Sequence, residues 1–339
     1  MQELFELVRR LVDIESVTGS ETACGAFLES RLRAAGFAVE TQVVSPGRAN
    51  LFAALGSPEV VLSTHMDTVA PYFPSSEDSE WIRGRGACDA KGSLACQVIA
   101  AESLMREGVR DFGLLFVVGE ERQSDGARAI NQSPRGARYI IVGEPTGNRL
   151  VTATKGVLQL HIRARGRAAH SAYPELGESA IEKLLDLLGE LRAMPLPSDP
   201  ELGPATMNIG TISGGVAANV IPEDAEAMVL FRTVDDCAAL IERIQGLLDG
   251  RAEYTLRRVA HVSRLHVAKG FETSAVSFVS DVSHLDKWGR PLLIGPGSIL
   301  VAHSAEEKVS KAELVRAVEL YRGLVRELKS DARMEGVSQ

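Results

Sequence analysis

Three apolar runs in this chain each stop at side chains that can bind a metal ion. Val61-Leu62-Ser63-Thr64 leads into His65-Met66-Asp67, Val117-Val118-Gly119 into Glu120-Glu121, and Tyr139-Ile140-Ile141-Val142-Gly143 into Glu144. Short apolar runs bounded by turn residues read as buried strands. In open α/β sheets, ligands bind beyond the carboxyl ends of the strands. A mostly parallel sheet that gathers these groups at one edge would use all three endings at once. Asp89, in Gly84-Arg85-Gly86-Ala87-Cys88-Asp89-Ala90-Lys91-Gly92, and His303, in Ala302-His303-Ser304, add two more metal-capable groups. A two-metal hydrolytic site is the leading expectation.

The rest of the chain fits that frame. Leu4, Phe5, Val8, Leu11 and Val12 recur at helical spacing, and a second helix is predicted over about 21–35 with Gly36 as its C-cap. Strands are predicted over 39–44, 50–55, 60–64, 114–118 and 139–142, with helices over 92–107 and near 126–131. Strands alternating with helices predict an α/β fold with a mixed, mostly parallel sheet covered by helices on both faces.

After Lys155-Gly156 the texture changes. An alternating strand over 157–164, a helix over 178–193, strands over 207–212 and 225–232, a helix over 237–248 and a strand over 253–257 follow in turn. That is the β-α-β-β-α-β order of a ferredoxin-like unit. From Phe271 the α/β texture resumes, with a strand over 292–294 and a closing helix from Lys311 to about Leu328. The expected division is a discontinuous catalytic domain, residues 1–155 and 268–339, around an inserted lid, residues 156–267. The last ten or so residues are polar and expected to fray.

Bulk properties narrow the function. A formal net charge of -8 over 339 residues offers no footprint for nucleic acid or an anionic membrane. The basic stretch His161 to Arg167 alternates with Ile162, Ala164 and Gly166, and reads as the solvated face of a strand. The four cysteines form no C-x-x-C pair, which suits reduced thiols and argues against a thiolate zinc site. The N-terminal residues read as an amphipathic helix rather than a secretion signal, and no run approaches the roughly 18 apolar residues of a membrane span. A cytoplasmic location is expected.

The candidate ligands divide into roles by chemistry. His65 and Asp67 lie two apart at a strand end, so both leave the same face, and Asp67 is placed to orient the imidazole. Asp89 follows glycines that allow a tight turn, where one carboxylate can face two cations. Glu120 and Glu121 point apart, so one can ligate while the other stays free as a general base. Two divalent cations carry plus four, and Asp89, Glu121 and Glu144 carry minus three. The residual plus one favours a bound hydroxide over water. Oxygen and imidazole donors without thiolate suit two divalent ions, zinc first, with cobalt or manganese able to substitute.

The elements His65-x-Asp67, Asp89-x-Lys91-Gly92, Glu120-Glu121, Gly143-Glu144-Pro145-Thr146 and Ala302-His303 stand in this order along nearly the whole chain. Together they resemble the di-zinc acetylornithine deacetylase and succinyl-diaminopimelate desuccinylase family of metallopeptidases and aminoacylases. The resemblance implies that His65 and Glu144 hold one zinc, Glu121 and His303 the other, and that Asp89 bridges them. It makes Glu120 the base and Asp67 the residue that orients His65. It implies that His170, in Gly166-Arg167-Ala168-Ala169-His170-Ser171, helps stabilise the oxyanion and reaches the partner's site in a homodimer joined through the lid. Asn219 and Arg232 match lid positions that bind substrate, although read alone Asn219 also fits a turn before Pro222 and Arg232 a strand surface. One departure is Leu230, where many relatives carry an acid two residues before the arginine.

The expected activity is removal of the acyl group from an N-acyl amino acid, as in acetylornithine deacetylation. The alternatives are a dipeptidase or carboxypeptidase of the same family, an acetyl-lysine or succinyl-diaminopimelate deacylase, and, remotely, a non-catalytic binding homologue.

Overall fold

The computed structural model describes residues 1–336, with side chains through residue 330. Of the polar tail expected to fray, residues 337–339 lie outside the described residues. The chain divides into two compact units. The first comprises Met1–Thr152, Leu265–Ser274 and Ser280–Gln339, and the second Ala153–Arg264 and Ala275–Val279.

The first unit is built on a six-stranded sheet. Its strand order is Ala38–Ser45, Arg48–Leu55, Phe112–Val117, Val60–His65, Tyr139–Val142 and Arg290–Leu293. Arg48–Leu55 runs antiparallel to both of its neighbours, and the remaining pairs are parallel. Every residue of Val60–His65, Phe112–Val117 and Tyr139–Val142 is buried. Burial on both faces is why these strands read as unbroken apolar runs.

Alternate residues show what covers each face. Val60, Leu62, Leu114, Phe116 and Ile141 join one core with the helices Gln2–Asp13, Thr22–Ala35, Lys91–Arg106 and Lys311–Gly336. Phe52, of the opposite parity, meets Trp288 edge-on at 5.3 Å between centroids. The Trp288 indole donates to the Ile130 carbonyl at the end of helix Asp125–Ile130. The mixed, mostly parallel sheet covered on both sides is therefore present. The closing helix runs to Gly336, past its expected end.

One feature has no counterpart in the sequence reading. Lys308–Ser310 pairs with Trp81–Arg83, which pairs with Ser76–Glu77. This small sheet ties the segment ahead of Asp89 to the segment just after His303.

The second unit is an antiparallel sheet in the order Thr206–Gly214, Asp224–Thr233, Gly156–Arg165, Glu253–Ala260. Helices Ala180–Ala193 and Ala238–Leu248 cover one face through Leu158, Leu160, Val229 and Phe231. The β-α-β-β-α-β order is the ferredoxin-like one. Among the described residues no helix is long and apolar enough to cross a membrane, and the four cysteines are free and buried.

Candidate metal centre

Three neighbouring parallel strands, Phe112–Val117, Val60–His65 and Tyr139–Val142, end at the same edge of the sheet. Glu120 and Glu121, His65 and Glu144 therefore emerge side by side. The turn to the glutamate pair needs Gly119, at φ 78°, because a Cβ there would lie 1.7 Å from the Asp125 carboxylate. Asp89 arrives from the loop that opens helix Lys91–Arg106, and His303 sits on a turn at φ 61°.

These side chains form two donor groups that share Asp89. His65, Asp89 and Glu144 make one group, and Asp89, Glu121 and His303 the other, with the donor atoms of each group within 4.8 Å of one another. His65 Nε2 lies 3.1 Å from Asp89 Oδ1 and 3.9 Å from Glu144 Oε1. His303 Nε2 lies 3.3 Å from Asp89 Oδ2 and 2.9 Å from Glu121 Oε2. The groups differ in burial: the His65 side chain is fully enclosed, whereas that of His303 is 52% exposed.

His65 Nδ1 lies 2.9 Å from the Asp67 backbone carbonyl and 3.5 Å from its carboxylate. A proton held on Nδ1 by that carbonyl leaves Nε2 free to ligate. The Asp67 carboxylate also holds the neighbouring turn. It accepts from the backbone N–H groups of Glu120 (3.1 Å) and Glu121 (3.2 Å) and from the Thr18 hydroxyl (2.8 Å). One buried carboxylate thus fixes the turn that carries the glutamate pair.

Glu307, which the sequence reading passed over, does the same for Asp89. Its Oε1 accepts from the backbone N–H groups of Gly86 (2.9 Å), Cys88 (3.2 Å) and Asp89 (3.2 Å), and its Oε2 pairs with Arg85 at 2.6 Å. The signal was available: Glu306-Glu307 is a second glutamate doublet, four residues beyond His303.

Crowded charge perturbs the protonation of the centre. Burial, with Asp281, Glu121 and Asp89 adding to it, pushes the Glu120 carboxyl well above the carboxylate range against the opposing pull of His65. Burial likewise raises Glu144, with Asp89, Glu120 and Asp281 adding to it, and raises Glu121. Burial also works to raise Asp89, but bonds from His303 and His65 hold it below its ordinary value. Bonds to Asp89 and Glu121 lift His303 to about 10. His65 is held well above its ordinary value by Asp67, Asp89 and Glu144 despite burial. In the metal-free chain, protons do the charge balancing that cations would do.

The residues present fit two divalent cations. Glu121 Oε1 and Glu144 Oε1 are buried without a hydrogen-bond partner, a costly state that ligation would relieve. The donors are carboxylate and imidazole. The Cys88 thiol is engaged with the Ser298 carbonyl, so the set suits zinc, cobalt or manganese.

The other candidates belong to the second unit. His170 and Asn219 lie on one short ribbon, with His170 opposite Val220 and Ser171 donating to the Asn219 carbonyl. Both are exposed, and His170 stacks edge-on with Tyr173 at 6.2 Å. Arg232 is half-buried on strand Asp224–Thr233, opposite Val157.

Residues 152–255 match the M20 peptidase dimerisation domain. A peptidase M20 domain-containing protein of Schizosaccharomyces pombe is 38% identical over 95% of this chain and 84% of its own length. An Aspergillus flavus protein named "probable carboxypeptidase" is also 38% identical, over 94% of this chain and 85% of its own. Among solved structures, a Staphylococcus aureus tripeptidase superposes with a TM-score of 0.82 at 20% identity, covering 96% of this chain and 98% of the tripeptidase. A Bacillus subtilis protein described as a dinuclear metal-binding peptidase superposes with a TM-score of 0.69 at 16% identity, covering 96% of this chain and 98% of that one. The structural likenesses speak to the fold, and the sequence identity over nearly the whole chain decides the lineage: the protein belongs to the M20 peptidase family.

Proposed function

We propose that the protein is a metal-dependent hydrolase of amide bonds that lie next to a free carboxylate, acting as a carboxypeptidase or dipeptidase. The observation that carries this reading is the pair of donor groups sharing Asp89, with Glu120 beside them and outside both. Peptides take precedence over N-acyl amino acids because relatives at 38% identity are named probable carboxypeptidases. The five sequence elements that resemble the acetylornithine deacetylase group keep deacylation as the second reading. The two substrates share an amide whose amine side bears a carboxylate.

His65, Glu144 and Asp89 would hold one divalent ion and Glu121, His303 and Asp89 the other. Bound there, the pair would polarise the amide carbonyl and lower the pKa of a water. Glu120 is assigned as general base, taking the proton of the attacking water and returning it to the leaving amine. Its burial suits a group that must gain and lose a proton. Asp67 positions Glu120 through the backbone bond already described. His170 is assigned to the developing oxyanion, Arg232 to the substrate carboxylate as a bidentate fork, and Asn219 to a further polar contact. A homodimer through the lid is proposed from the dimerisation-domain match and from the exposed edge strand Thr206–Gly214.

The test is metal analysis combined with a hydrolysis screen of zinc- or cobalt-loaded protein against dipeptides, longer peptides and N-acetyl, N-succinyl and N-formyl amino acids. About two ions per chain are expected, with chelator-sensitive cleavage of at least one class. No bound metal, with chelator-resistant cleavage, would overturn the reading. Light scattering that shows only monomer would remove the dimer.

A further inference from the structure

One face of the second unit's sheet is balanced in charge at one end and unbalanced at the other. Residues directly opposed across strands, and those two apart along a strand, share a face. By register, His161, Arg163 and Arg165 therefore lie on the same face as Asp224, Glu226 and Glu253. Each of these basic side chains has an acid beside it. His161 Nε2 is 2.9 Å from Glu226, Arg163 is bidentate to Asp224 at 2.7 Å, and Arg165 reaches Asp224 (3.3 Å) and Glu253 (3.4 Å).

Two steps along, the same face carries Arg232 opposite Val157, and Leu230 opposite Gln159, which is itself opposite Arg258. A register slip between Leu256 and Arg258 brings Arg258 onto that row. Neither Arg232 nor Arg258 has an ion-pair partner among the described residues. Both are half-buried; the strand between them offers only Val157 and Gln159, and the residue two before Arg232 on its own strand is the uncharged Leu230. Asn208, opposite Leu230, and Gln159 add amides to the same row. Burial first, and Arg258 second, hold the Arg232 guanidinium below its ordinary value, the mark of a cation short of an anion.

A single carboxylate satisfies one guanidinium fork and leaves the other uncompensated. Ideal sheet spacing puts the two arginine Cα positions about 12 Å apart, so two long side chains can close on one small molecule from either side. We propose that Arg232 and Arg258 form a dicarboxylate subsite. Resting on the hydrolase reading above, this makes substrates with a second carboxylate on the amine-side residue, such as C-terminal glutamate or aspartate, the preferred class.

The experiment uses the full-length zinc-loaded protein. Calorimetric titration with glutarate and with butyrate gives an affinity ratio that reads the preference for a second carboxylate, and the arginine variants show how much of it belongs to the subsite. Wild type is expected to favour glutarate about 10- to 100-fold, the range of one charge-assisted pair, and Arg258→Gln to lose most of that ratio. Leu230→Glu, which keeps both arginines and sets a carboxylate beside Arg232 on the row that carries Arg258, is expected to lose it too. In kinetics, the preference for Ala-Glu over Ala-Gln is expected to fall in both variants through KM more than kcat, with partial recovery in Arg258→Lys. A glutarate-to-butyrate ratio near one in wild type, or one unmoved by either folded variant, overturns the subsite. If no peptide or acyl amino acid is cleaved, the hydrolase reading fails, while the glutarate titration still decides the subsite.

Discussion

The carboxyl edge of the central sheet and the Arg232–Arg258 row of the second unit are unbalanced in opposite senses. At the sheet edge, the carboxylates of Asp67, Asp89, Glu120, Glu121 and Glu144 crowd around the imidazoles of His65 and His303, and two buried carboxylate oxygens lack a partner. On the arginine row, two guanidiniums share a face that holds no acid at that end. Folded chains normally pair the charges they bury, so a local excess of one sign marks where a ligand of the other sign belongs. Cations fit the first region and an anion the second. The regions also differ in how they are held. The donor groups are braced from behind by Asp67 and Glu307, whereas neither arginine has an ion-pair partner among the described residues.

The largest expected effect separates charge that binds metal from charge that moves a proton. Glu120→Gln removes the proposed base while leaving both donor groups intact. Turnover should fall about 100- to 10,000-fold, the range for loss of general-base catalysis, with metal content close to wild type. Should the variant lose metal as well, Glu120 would be a ligand, and the separation drawn between Glu120 and Glu121 would collapse.

A smaller effect is expected behind the donor groups. Glu307→Gln disturbs the pairing with Arg85 and the cradle of N–H groups under Asp89, so metal affinity measured by chelator competition should weaken about 10- to 100-fold. Arg258→Gln, on the other unit, should leave that affinity unmoved. Equal loss in both variants would mean a general loss of folding, and the contrast between braced donor groups and unpaired arginines would go.

The residues that sequence exposed and those it hid differ in a physical way. His65, Glu120, Glu121 and Glu144 were legible because each ends a run of buried residues, and a strand buried on both faces writes itself as a continuous apolar stretch. Glu307 was hidden because its partners lie more than 200 residues earlier, and nothing local marks such a contact. The small sheet joining Trp81–Arg83 to Lys308–Ser310 was hidden for the same reason. Arg258 escaped because the register slip beside it breaks the strict alternation on which strand faces are read. Along Gly156–Arg165 the alternation holds from Leu158 onward, and there the solvated basic face was legible.

The smallest expected effect is a pH signature that only the acidic region can show, because guanidiniums do not titrate in the accessible range. In the metal-free chain His303 is lifted to about 10, and His65, Glu120 and Glu144 also hold protons more tightly than their ordinary values imply. For each group the folded chain keeps a proton that the unfolded chain has released. The stabilisation is therefore complete below the unfolded pKa, about 6.5 for histidine, and drains away as pH rises through the folded one. Asp67 and Asp89, held low, act in the opposite sense, but only in the acid range below their unfolded values. The melting temperature of metal-free protein should thus decline from about pH 7 towards pH 10, with a shallower decline in His303→Gln. Loading with zinc should flatten the profile, because cations then occupy the positions the protons had balanced. A metal-free melting temperature that rises across this window would show that protons are not what offsets the crowded carboxylates, and the case for a cation-shaped deficit at the sheet edge would rest on geometry alone.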